Sequence, residues 1–420
     1  MNLEIMTVLR DINSLGFLGA FLAIFSLLTG DVTKLVPSQQ PIPASLFGMH
    51  IHHLVSPKGK EPLTQWPGVN IPQWRLWDSH TTWPDIEPTK GVWKFDTLDK
   101  SVQQAQARGT DVLLTLGLTP TWASARPQEP SGYKPGYAAE PVDIQDWRDF
   151  VTAVATRYKG RVHEYEIGNE PNLHQFWTGS LDQMLALVRE ASPIIHGIDP
   201  TAIIVSPSAT KGADGVRWLA EFLHKGGGQY VDVIGFHFYV GKQPPESMLP
   251  LIKQIQQTMA DNGAGSKPLW DTEAGWLDPN PYPNNELLAA YLARAYILQW
   301  AVGVQRFYWY SWDSHNMTVD STAPGEEVLQ PTGRAYGVIQ TWLVGARMDW
   351  CSQDNSHTWT CELNRQGALQ WIVWNSDGPK TISIPSSWHA KNFTPLLQAA
   401  QPFNGSNLGV GTNPVLVTSE

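Results

Sequence analysis

"HEYEIGNEPN", residues 163–172, sets three glutamates and two asparagines into ten positions that otherwise read as a strand. Acidic side chains are poor strand formers, and carboxylates are seldom buried without partners. With a side-chain period of two, Glu164, Glu166, Gly168 and Glu170 share one face, and Tyr165, Ile167 and Asn169 share the other. Pro171 ends the run and leaves Glu170 at its C-terminal tip. Glu166 lies deeper on the same face, where a carboxylate needs a cation. Arg75, from "WRLW", is the expected partner, and Glu164, at the strand start, is expected to be solvated.

Outward from this stretch the pattern repeats. "SLFGMHIHHL", "QWRLWDSH", "DVLLTLGL", "VHEYEIGNE", "AIIVSPSA", "VDVIGFHFY", "KPLWDTEAGW" and "VQRFYWYSWD" are eight strand candidates. Between them stand amphipathic segments such as "TLDKSVQQAQARG", "DWRDFVTAVATRYKG", "LDQMLALVREASPIIHG" and "ELLAAYLARAYILQWAVG". The first crossover, "SPKGKEPLTQWPGVNIP", reads as loop. Strand–helix alternation implies parallel strands, and eight such units close a (β/α)8 TIM barrel. Its last helix is "TGRAYGVIQTWLVGAR", ending near Arg347. Beyond it, "LQWIVWN", "TISIP" and "PVLVTS" are short alternating runs broken by Asn, Gly and Pro, which predicts a small all-β domain. The expected division is a leader and linker over 1–40, the barrel over 41–347 and a β-sandwich-like unit over 348–420, with a supporting role for the last.

The net charge of −10 argues against a nucleic-acid binder, which would show a basic face. Twenty tryptophans exceed what a core requires, and indole faces suit stacking on ligands. Leu15–Leu28 is apolar and uncharged, the length of a signal-peptide core and shorter than a spanning helix of roughly 20 residues. A signal peptide or an uncleaved membrane anchor both fit, and either implies an exported chain. Cys351 and Cys361 bracket the polar turn "SQDNSHTWT" and are placed to close a hairpin disulfide.

Barrel chemistry sits at the C-terminal strand ends. Glu170 ends the fourth strand and Glu273, in "LWDTEAGW", ends the seventh. Two rim carboxylates facing each other fit a retaining glycosidase, which needs roughly 5–5.5 Å between its carboxyl groups. One must be ionised to attack the anomeric carbon, and the other must hold a proton for the leaving oxygen.

At this point the chain resembles the clan A glycoside hydrolases, most closely family 39 and its relatives among exopolysaccharide hydrolases. The resemblance covers most of 45–347, through "WRLWDSHTTWPDIEPTKGVWKFDTLD", "TPTWAS", "YEIGNEPN", "DVIGFHFY", "DTEAGW" and "FYWYSWD" in that order. It implies that Glu170 is the acid/base and Glu273 the nucleophile. It further implies that Asn169 bonds the sugar 2-hydroxyl, that Tyr239 keeps Glu273 ionised, and that Trp309 is the sugar platform. His237 shares the parity of Tyr239 and is expected to line the same site. His50, His52, Trp122 and Trp312 complete the substrate-binding candidates, and Trp122 and Trp312 read equally well as loop packing. The implied partner is an oligo- or polysaccharide, and no cofactor or metal is called for.

Three other readings compete. A transglycosylase would use the same carboxylates with a sugar acceptor. A silent carbohydrate-binding protein would keep the barrel without turnover. A metal-dependent amidohydrolase would use the H-x-H pair His50 and His52, with His237 and Asp313. The last lacks a bridging lysine on the fourth strand and a histidine on the fifth.

Overall fold

The computed structural model describes residues 34–57, 64–276, 285–313 and 329–419. The apolar stretch Leu15–Leu28 lies outside them. Among the described residues no helix is long and apolar enough to cross a membrane.

After a short strand β1 (Lys34–Leu35), eight parallel strands follow: β2 (Phe47–His50), β3 (Gln73–Leu76), β4 (Asp111–Leu116), β5 (Glu164–Ile167), β6 (Ile203–Val205), β7 (Ile234–Phe236), β8 (Leu269–Ala274) and β9 (Arg306–Trp309). Each falls inside one of the eight expected runs. They form one sheet in the order β6-β5-β4-β3-β2-β9-β8-β7. Single parallel bridges, Val205 to Val233 and Ala209 to Phe236, join its two ends and round off the barrel. Helices Asp96–Gln106, Ile144–Tyr158, Leu181–Ile198, Gly212–His224, Met248–Asp261, Asn285–Ala301 and Pro331–Leu343 pack outside it. The last ends at Leu343 and not near Arg347, which opens the next strand.

Inward positions fall into layers. At the bottom, Glu164 pairs with Arg306 at 2.5 Å, and the guanidinium stacks over the Trp270 ring at 3.9 Å. Glu164 is therefore buried and paired, not solvated: the strand start opens onto the barrel floor, and burial pushes its carboxyl up against the pull of Arg306. Packed with this pair, Leu113, Val205, Val233, Trp270 and Tyr308 form an apolar plug. Tyr308 fits because β2 presents Gly48 to it. A Cβ there would stand 2.4 Å from the Tyr308 ring.

The C-terminal region is antiparallel, as expected. β10 (Arg347–Gln353), β11 (Thr358–Arg365), β12 (Ala368–Asn375), β14 (Asn392–Pro395), β15 (Gln401–Pro402) and β17 (Val415–Thr418) share a seven-stranded sheet with β1. β13 (Lys380–Ser383) and β16 (Asn407–Val410) pair separately. Cys351 and Cys361 face each other across β10 and β11 and are disulfide-bonded. Glu246 ties the barrel to this region, accepting from Arg294 at 3.1 Å and from the Trp374 indole at 2.8 Å.

The plug gives a direct test. Gly48→Val should destabilise the protein by about 3 kcal/mol, since Tyr308 has no free space into which to withdraw. Denaturant unfolding that changes by less than about 1 kcal/mol would show that the layer repacks.

Candidate active site

The upper end of the barrel is organised by one cation. Arg75, fully buried on β3, bonds Glu166 on β5 through Nε at 2.7 Å and Nη2 at 2.6 Å. Its Nη1 reaches Glu273 Oε2 at 2.8 Å and its Nη2 reaches Asn169 Oδ1 at 2.7 Å. The expected Arg75–Glu166 pair is present, extended to a rim carboxylate. Burial alone would raise the Glu166 carboxyl, but Arg75 and the Ser208 and Thr115 hydroxyls outweigh it and hold Glu166 below the usual range.

Glu170 and Glu273 meet at the mouth. One carboxylate oxygen of each and a ring nitrogen of His237 lie within 4.8 Å of one another. Burial pushes both carboxyls up to about 7. Two such acids behave as a pair whose last proton is retained because its loss would set two negative charges side by side. Their hydrogen bonds are unequal. Glu273 accepts from Arg75 and, at 2.9 Å, from the Tyr239 phenol, both of which favour its ionised form. Glu170 Oε1 faces His237 Nδ1 at 3.0 Å. Burial lowers the imidazole to about 4, so this histidine is neutral at neutral pH. Thr210 and Arg75 pull the Glu170 carboxyl down against its burial, but Arg75 and Tyr239 bond Glu273 directly, which favours Glu273 as the ionised member of the pair.

The backbone explains how these side chains converge. Strand β5 ends at Ile167, and Gly168 then takes φ 86° and Glu170 φ 42°, both left-handed. That turn breaks the alternation, so Asn169 faces the same side as Glu170 and not the opposite face. A non-glycine residue at positive φ is costly, and such strain concentrates where a side chain must be aimed. On β8 the register against β9 shifts between Asp271 and Ala274, and this irregularity allows adjacent Thr272 and Glu273 both to face inward.

The remaining expectations divide. His52 lines the mouth cavity, together with Asp78, Tyr133, Lys211, Tyr239 and Tyr310. His50 lies below it, its Nε2 on the Thr272 carbonyl at 3.0 Å. Trp309, expected as the sugar platform, is not among the lining residues: it is fully buried and stacks on Trp276 at 5.6 Å. Tyr308 and Tyr310 point inward, and Trp309 points into the helical shell. Tyr310 stands at the rim in its place, donating to Asp78 at 2.9 Å, and Tyr133 donates to the other Asp78 oxygen. Trp312 is buried, and its amide bonds the His50 carbonyl. Trp122 packs edge-on against Trp83 and donates to the Glu87 carbonyl. Neither indole lines the cavity.

The H-x-H metal set does not assemble. Asp313 is committed to the His52 and His53 amides at 2.8 and 2.9 Å and to Thr64 at 2.7 Å. Among the described residues, the converging cluster of potential ligands is Glu170, His237 and Glu273. It coincides with the carboxylate pair.

Removing either partner of the Arg75–Glu166 bridge should cost about 3–5 kcal/mol, because the other is left buried and uncompensated. In a double-mutant cycle of Arg75→Met and Glu166→Gln, followed by chemical denaturation, a coupling near zero would refute the bridge as a stabilising unit.

Residues 145–341 match the family model described as glycosyl hydrolase catalytic core. A β-xylosidase of Geobacillus stearothermophilus is 26% identical over 233 residues, 49% of this chain and 46% of that protein. The chain thus spans less than half the length of that curated relative. Among solved structures, a family 39 glycoside hydrolase from Bacteroides cellulosilyticus WH2 superposes with TM-score 0.68 at 16% identity, covering 91% of this chain and 81% of that one. A family 39 β-xylosidase from Caulobacter crescentus gives TM-score 0.63 at 16% identity, over 92% and 97%. The chain thus carries the match of a glycosyl hydrolase catalytic core on its barrel, and it shares the fold of solved family 39 glycoside hydrolases.

Proposed function

We propose that this chain is a retaining glycoside hydrolase that cleaves O-glycosidic bonds in an oligo- or polysaccharide by double displacement. The observation that carries the reading is the approach of Glu170 and Glu273, oxygen to oxygen within 4.8 Å, with unequal hydrogen bonding. That spacing fits direct attack by one carboxylate, whereas an inverting pair leaves roughly 6.5–9.5 Å for a water. Glu273, held ionised by Arg75 and Tyr239, attacks the anomeric carbon while Glu170 gives its proton to the departing oxygen. In the second half, Glu170 takes a proton from water, which attacks the same carbon and releases the sugar with its configuration retained. Asn169 stands beside both acids for a sugar hydroxyl, and Tyr310, His52 and Asp78 offer the cavity wall on which the ring would rest.

The sugar is left to a panel of aryl glycosides. β-Xylosides are the first to test, since the curated relative and a structural neighbour are named β-xylosidases. We assign the chemistry to residues 41–347 and a supporting role to 348–420, in line with the Glu246 contacts between them. Export of the chain is supported by the Cys351–Cys361 bond and the apolar N-terminal stretch.

Early-time NMR of the released sugar should show the retained anomer, and an inverted product would rule out double displacement. Glu273→Ala should lose nearly all turnover and regain part of it with azide, as an azide adduct of opposite anomeric configuration. Glu170→Ala should fail on poor leaving groups while still forming the glycosyl-enzyme from a dinitrophenyl glycoside. Equal losses on both substrate types would remove Glu170 from the proton-donor role.

A further inference from the structure

Beneath the carboxylate pair lies a cluster of hydroxyls whose protons can be counted. Ser208 Oγ is 2.6 Å from Glu166 Oε1, Thr272 Oγ1 is 2.8 Å from that same oxygen, and the two hydroxyls are 2.7 Å apart. The other Glu166 oxygen is occupied by Arg75 and, at 2.7 Å, by Thr115. His237 Nε2 stands 3.1 Å from Thr272 Oγ1, and its Nδ1 stands 3.0 Å from Glu170 Oε1.

Three short oxygen–oxygen contacts share only the two protons of Ser208 and Thr272. If Thr272 gave its proton to His237, one proton would serve all three, and two pairs of oxygens would face each other bare. Oxygen lone pairs at such separations repel. Both protons therefore stay among the three oxygens, and the hydrogen between Thr272 and His237 comes from the imidazole. We infer that Glu166, through Ser208 and Thr272, fixes His237 as its Nε2–H tautomer, so that a bare Nδ1 faces Glu170 and favours the protonated acid. Resting on the assignment of Glu170 as proton donor, this makes Thr272 and Ser208 positioning residues.

Both halves of the reaction are affected. In the resting site Glu170 donates its proton to Nδ1 in a hydrogen bond and stays loaded. After the proton leaves with the departing oxygen, a carboxylate faces a lone pair, which raises its basicity toward the incoming water; the water's proton then restores the acid. Other charged or titratable groups also face Glu170: Asp78 and Arg75 from β3 and the loop after it, Lys211 after β6, Tyr239 after β7, and Glu273 on β8. Arg75 and Lys211 favour the ionised acid, while Asp78 and Glu273 oppose it. The imidazole is the neighbour whose influence reverses with tautomer.

The test has two arms. In protein labelled with 15N-histidine, long-range proton–nitrogen correlation should show His237 with a protonated Nε2 and a bare Nδ1, the resonance being assigned by its loss in His237→Gln. A protonated Nδ1 would overturn the inference whether or not any glycoside is hydrolysed, so this arm fails independently of the proposed activity. The second arm is kinetic. Thr272→Val keeps the shape but removes the acceptor, freeing Nδ1–H to bond the Glu170 carboxylate. The basic limb of the kcat/KM profile should then move down by about one pH unit, and Thr272→Ser should keep the wild-type profile. An unmoved limb in Thr272→Val would also overturn it.

Discussion

Everything at the mouth of this barrel depends on the burial of Arg75. Its guanidinium is out of contact with solvent, yet it satisfies Glu166 on β5, Asn169 just beyond it and Glu273 on β8. A planar fork suits this task, since a lysine ammonium could not reach all three in fixed directions. One positive charge faces Glu166, Glu273 and Glu170, so full ionisation would leave a net charge of −2 from these four groups. In a buried site that excess is relieved by retaining a proton. Arg75 holds Glu166 and Glu273 directly, which under the proposed mechanism leaves the proton to Glu170. In that proposal the division of labour between two identical side chains follows from which of them the arginine touches.

Much of this was legible in the sequence, where the backbone stays regular. Period-two counting along β5 puts Glu166 inward, where it meets the arginine named from "WRLW". The eight strands, five of the helices and the β-rich end followed from pattern alone. Reading failed where the chain leaves ideal geometry. Asn169 changes face because Gly168 and Glu170 take left-handed backbone, and no alternation rule can express that. In "FYWYSWD" both parities are aromatic, so periodicity could not tell whether Trp309 or Tyr310 reaches the cavity. The space cleared by Gly48, paired with Tyr308 on the neighbouring strand but remote in sequence, sets the phase. Glu164 was misjudged for a related reason, since its partner Arg306 lies in a remote strand.

The hydroxyls were illegible for another reason. Ser208, Thr272 and Thr115 carry no charge, stand in ordinary strand sequences and gain meaning only through a carboxylate brought to them by folding. Buried polar groups of this kind must be satisfied completely or not be there at all. Their placement around Glu166 turns a barrel-bracing residue into part of the proton balance, which a list of rim residues would omit.

The segment after β6 shows how geometry and protonation become one problem. The Glu170 amide donates to the Ser208 carbonyl at 2.9 Å, and the Asn172 side chain brackets Thr210, donating to its carbonyl at 2.9 Å and accepting from its amide at 3.0 Å. These contacts hold the left-handed turn that aims Glu170. The hydroxyl of the same Ser208 binds Glu166, whose arginine binds Glu273. Shifting this segment would therefore move the acid and disturb its proton together. A strained backbone persists only when its surroundings over-determine it. Here the surroundings that impose the strain also set the charge, which explains why a chain would crowd three glutamates into ten residues: one for the floor, one for the brace, and one carried on the turn.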